Sequence, residues 1–133
     1  MKSYFSVNDA NEILPTVIKK FNHAKKMKDE VMKIEHQLTS SITQTTSLEE
    51  YATIKRELNS IVTKFYQSIE DLESTGVFLK GLGEGLLDFP AKRFDEEIWL
   101  CWKEGETEIK FWHEKDTGFM GRKPISVSNE SLV

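Results

Sequence analysis

Between Trp99 and Arg122 the chain combines side chains that scaffolding alone rarely brings together. Cys101 stands beside Trp102 and Trp112 beside His113; Asp116 follows three residues on, and Arg122 comes after Gly118 and Gly121. All three tryptophans and the single cysteine of the 133 residues fall in this stretch. Imidazole, thiol, carboxylate and guanidinium are the groups that move protons, ligate metals and pair with anions, so a local function belongs here.

Several chemistries compete for these residues. Asp116 lies in a glycine-containing turn after His113, where its carboxylate can swing back to the imidazole and fix its tautomer. That pair reads either as a core histidine satisfied by one hydrogen bond or as an oriented general base, and it supplies the catalytic candidates His113 and Asp116. For a metal, Cys101, Glu108, His113, Asp116 and Asp88 are chemically acceptable ligands, and Asp88, Glu108, His113 and Asp116 are the metal candidates. Neither a Cys-x-x-Cys nor a His-x-x-x-His spacing accompanies them, and no cofactor motif is present. For an anion, Arg122 on a backbone loosened by Gly118 and Gly121 is the natural partner, and Trp102, Trp112, His113 and Arg122 make up the expected ligand-binding surface. Turn-making accounts for the same glycines, whose spacing is neither a P-loop nor a dinucleotide fingerprint.

These residues must be held by strands. The segments 86–91, 97–103 and 108–114 are rich in aromatic and branched residues, with hairpin-sized separators at 92–95 and 104–107, and predict a three-stranded antiparallel meander. If both hairpin loops contain an even number of residues, Leu87, Phe89, Ile98, Leu100, Trp102, Ile109, Phe111 and His113 share the core face. Asp88, Trp99, Cys101, Glu108, Lys110 and Trp112 then share the other. Trp102 and Phe111 should be buried, Trp99 and Trp112 partly accessible, and Cys101 and His113 on opposite faces, which disfavours both a shared metal and a Cys–His nucleophile.

Before the strands, the pattern is helical. Ser6 with Asp9 reads as a start signal, and Pro15 predicts that 7–14 is a kinked start to a main helix over about 16–38, followed by a hydroxyl-rich loop at 39–46. Ser47 with Glu50 opens a second helix over 48–74, with Tyr51, Ile54, Leu58, Ile61, Phe65 and Leu72 on one stripe and Gly76 as its left-handed cap. Two long helices joined by a short loop form an antiparallel hairpin. Their uncovered stripe predicts a homodimer completing a four-helix bundle.

The fold class is therefore α+β in one domain over 1–133, with a helical hairpin at 1–75, a meander and glycine-containing tail at 76–124, and a flexible end at 125–133. A net charge of −4 and a pI near 5.4 argue against bulk attraction to nucleic acid, and Lys19, Lys20, Lys25, Lys26 and Lys28 read as a solvated helix face. A single cysteine, no apolar leader and no membrane-length apolar run lead to the expectation of a cytoplasmic protein.

Tyr4-Phe5-Ser6, Leu14-Pro15, Gly85-Leu86-Leu87-Asp88-Phe89-Pro90-Ala91, Cys101-Trp102, Gly105-Glu106, Trp112-His113 and Gly118-Phe119-Met120-Gly121-Arg122-Lys123-Pro124 together resemble the prokaryotic domain-of-unknown-function family 2203. The resemblance runs from Tyr4 to about Pro124; Lys103 and Thr107 depart from it where the family pattern has arginine and proline. It implies a small bacterial or archaeal cytoplasmic protein and carries no established activity. The leading expectation is a homo-oligomeric binding or interaction module whose aromatic, His- and Arg-bearing surface meets a protein partner or a small anionic ligand. The alternative is a small metal-binding protein or enzyme centred on His113, Asp116 and Glu108.

Overall fold

The computed structural model describes residues 4–44 and 47–125. Two long helices, α1 (Val7–Thr43) and α2 (Leu48–Glu73), pack as a hairpin. They are followed by strands β1 (Phe78–Gly81), β2 (Leu86–Arg93), β3 (Glu96–Lys103), β4 (Phe111–Glu114) and β5 (Lys123–Pro124). The strands form one antiparallel sheet in chain order, with a single 3-10 turn (Phe119–Gly121) leading into β5. No helix of the described residues is long and apolar enough to cross a membrane. The expected flexible end beyond Ile125 lies outside the described residues.

Both helix starts are capped as their sequences require: Ser6 Oγ accepts from the Asp9 amide and Ser47 Oγ from the Glu50 amide. Pro15 does not break α1, although it removes one helical hydrogen bond. Ala10, Leu14, Val17 and Phe21, on both sides of the proline, are all buried against the sheet, and that burial holds the helix through it. The hydroxyl-rich segment also stays helical as far as Thr43, because Thr39 and Ser41 donate back to the Glu35 and Leu38 carbonyls instead of competing for the chain. At the end of α2, Gly76 turns at φ +97° and delivers buried Val77 into the core.

The sheet has five strands, not the expected three. β1 forms ahead of the first expected strand and pairs Phe78 with Asp88 and Leu79 with Leu87. β5 is a two-residue edge containing Pro124, a position at which a missing amide is harmless. The third expected strand contracts to Phe111–Glu114, since Ile109 leaves the ladder and donates its amide to Asn11 Oδ1 on α1 at 2.7 Å. β2 and β3 join through a two-residue turn, Phe94-Asp95, with φ of 50° and 68°.

One face of the sheet packs on the first half of α1 and the end of α2. Leu87, Phe89, Ala91, Ile98, Leu100, Trp102 and Trp112 meet Leu14, Val17, Phe21 and Leu72 there, with Phe21 edge-on to Trp102 at 5.3 Å. The helices leave the other face uncovered. Beyond the sheet, the α2 stripe from Tyr51 to Phe65 is only half-buried.

A buried Asp–Cys–His cluster on the helix-free face

Strand register decides which groups meet. Between β2 and β3 the parity is as expected, with Asp88 opposite Cys101 and Leu87 opposite Trp102. Between β3 and β4 it is inverted, because Trp99 pairs with His113, Leu100 with Trp112 and Cys101 with Phe111. That register leaves an odd number of residues in the connection, so every β4 side chain turns to the face opposite the expected one. Trp112 enters the core. His113 joins Asp88, Trp99 and Cys101 on the helix-free face.

The consequence is a three-residue cluster from three adjacent strands. His113 Nε2 lies 3.1 Å from both Asp88 carboxylate oxygens, and His113 Nδ1 lies 2.9 Å from the Glu114 carbonyl. The Cys101 thiol also donates to Asp88. Ligand atoms of the three side chains lie within 4.8 Å of one another, and all three side chains are buried. A carbonyl only accepts, so Nδ1 carries a proton, and a second proton lies between Nε2 and the carboxylate. Burial lifts the Asp88 carboxyl above its ordinary 3.8, outweighing the neighbouring His113, the thiol hydrogen bond and Lys80, which hold it down. The thiol is pushed from 9.0 up to about 12 by burial first and by the Asp88 charge second.

The cluster floors a cleft of about 210 Å³ whose walls include Lys80, Trp99, Lys115, Gly118 and Phe119. Trp99 is buried, contrary to expectation. Phe78 packs on it at 5.2 Å, and the Lys80 and Lys115 ammoniums lie 4.3 and 4.5 Å from its ring centroid, so long charged side chains rather than a helix cover this face.

The remaining sequence candidates fall elsewhere. Asp116 is exposed and is not the partner of His113, both of whose ring nitrogens are engaged by Glu114 and Asp88. Glu108 lines a separate cleft beside Asn8, Asn11 and Lys110, so His113, Asp116 and Glu108 do not form a metal centre. Trp102 and Trp112 face the helices and do not border the cluster. Arg122 shares the face of His113 but is held away from the cleft: its guanidinium stacks on Phe111 at 3.9 Å and its Nη2 donates to both Glu106 oxygens at 2.8 and 2.6 Å. It also packs at 4.8 Å on Phe119, a wall of the cleft, and so shapes the wall rather than reaching a ligand. Lys80, Lys115 and Phe119 were not legible as site residues, because their placement depends on β1 and on the β4–β5 connection.

The fold and cluster define an α+β protein in which a helical hairpin backs a five-stranded meander, with buried Asp, Cys and His on its free face. The chain belongs to the family described as "Uncharacterized conserved protein (DUF2203)", whose model matches residues 3–125. No curated protein and no solved structure matches the chain.

Proposed function

We propose that the chain is a binding module whose site is the cleft on the helix-free face, and that its ligand is a small anion or a compact carboxylate-bearing molecule. The observation that carries this reading is two rim lysines, Lys80 and Lys115, above three buried polar side chains in one cleft. A volume of about 210 Å³ suits a ligand of few heavy atoms, below the ~300 Å³ at which drug-sized sites begin. Binding is favoured over covalent catalysis because a thiol pushed up to about 12 by burial and by the Asp88 charge supplies little thiolate at neutral pH.

Calorimetry with inorganic phosphate and with a small dicarboxylate tests it. Lys80→Ala and Lys115→Ala should each weaken binding by about three- to tenfold, with affinity falling as salt rises. Binding that neither variant alters, or no binding of either probe, would overturn the reading.

The assembly proposed with it is a homodimer. Tyr51, Ile54, Leu58, Ile61 and Phe65 are half-buried along α2, while Met32, Ile42, Leu48 and Tyr66 are exposed on the same hairpin. A second hairpin laid along this stripe, about 21 Å from Tyr51 to Phe65, would cover these apolar side chains.

A further inference from the structure

We propose that Asp88, Cys101 and His113 are three ligands of a divalent metal ion of the zinc class, with the fourth coordination position opening into the cleft. The inference goes beyond the anion-binding reading and does not rest on it. Carboxylate oxygen, thiolate sulfur and imidazole nitrogen together are a donor set that zinc takes, and three protein ligands with one open position is the arrangement of zinc sites that act on a bound molecule. The three donor atoms already lie within 4.8 Å of one another. Bonds of about 2.0–2.3 Å in a tetrahedron place ligand atoms some 3.3–3.8 Å apart, so small side-chain rotations suffice.

A second observation is independent of that proximity. His113 Nδ1 donates to the Glu114 carbonyl at 2.9 Å, which leaves Nε2 as the nitrogen facing Asp88. An outer hydrogen bond from one ring nitrogen to a backbone carbonyl is how metal-bound histidines are oriented and their tautomer fixed.

Charge balance provides a third argument. With one proton between His113 Nε2 and Asp88, as a contact of imidazole nitrogen with carboxylate requires, and one on the thiol, the metal-free cluster is neutral. A divalent ion replaces both, leaving neutral imidazole, carboxylate and thiolate around two positive charges, again neutral in total. The two displaced protons pass to the solvent, and no net charge is added to a buried site. Asp88, once satisfied by two donors, then has the ion as its partner.

The test is to titrate chelator-treated, reduced protein with cobalt(II) and then with zinc. One equivalent of cobalt should release two protons and produce a thiolate-to-metal charge-transfer band and the intense visible bands of a four-coordinate ion; zinc should then abolish both bands with no further proton release. Cys101→Ser should lose the charge-transfer band, and Asp88→Asn, which removes a ligand, should weaken binding by more than the about 10- to 100-fold that loss of an outer-shell partner costs. Zinc should also raise the melting temperature of the wild-type protein, a readout that does not depend on how well the variants fold. The proposal is overturned if the wild-type protein gives no stoichiometric band and no thermal shift, or if the charge-transfer band persists in Cys101→Ser. A failure of phosphate or dicarboxylate to bind leaves the cobalt result unchanged, so the two readings fail separately.

Discussion

Stability above neutral pH should depend on Cys101 in a way that a serine at the same position abolishes. The folded chain holds the thiol proton up to about 12, against 9.0 for an ordinary thiol. The folded thiol therefore binds its proton more tightly than the unfolded one, and the stability this confers is complete below 9 and lost as pH rises toward 12. Integrating over that window, the loss attributable to Cys101 is negligible at pH 7, about 0.4 kcal/mol at pH 9 and about 1.4 kcal/mol at pH 10. Urea denaturation of wild type and Cys101→Ser, with chelator and reductant present, measures it directly, since the other titrating groups are common to both chains. The wild-type stability should fall by about 1.4 kcal/mol more than that of the serine variant between pH 7 and pH 10. In Asp88→Asn the gap should narrow, because the second cause of the shift is removed while burial remains. Parallel pH profiles for wild type and Cys101→Ser would refute the reasoning.

Trp102→Ala should cost about 3–5 kcal/mol in urea denaturation, since it empties a fully buried site, removes the edge contact with Phe21 and leaves the Glu106 carbonyl without its indole donor. The β2–β3 turn should gain from replacing Phe94-Asp95 by Asn-Gly, residues that tolerate positive φ; about 1 kcal/mol, read as a rise in melting temperature, is expected, and a fall would mean that Phe94 makes a contact worth more than the strain. Leu58→Asp should halve the mass seen by light scattering at micromolar concentration, because a charge would enter a desolvated seam. A wild-type protein that is already monomeric would exclude the dimer.

The helices were legible in the sequence because their signals are local. A serine with an acidic residue three positions on, apolar residues every three or four positions and a terminal glycine act within a few residues of one another, so Ser47, the α2 stripe and Gly76 could be placed from sequence alone. Pro15 shows the limit of such signals: its local cost is real, yet Leu14, Val17 and Phe21 gain enough on the sheet to carry the helix through. The chemistry-bearing residues were legible as types, and Asp88, Cys101 and His113 were all singled out. Their meeting was not legible. It depends on one integer, the parity of the β3–β4 connection, which is set where Asn11 of α1 captures the Ile109 amide 98 positions along the chain and Ile109 packs into the core. An even count would have separated the imidazole from the thiol by the thickness of the sheet. The odd count puts them on one face together with Asp88, and it is tertiary packing, which no local pattern encodes, that selects it.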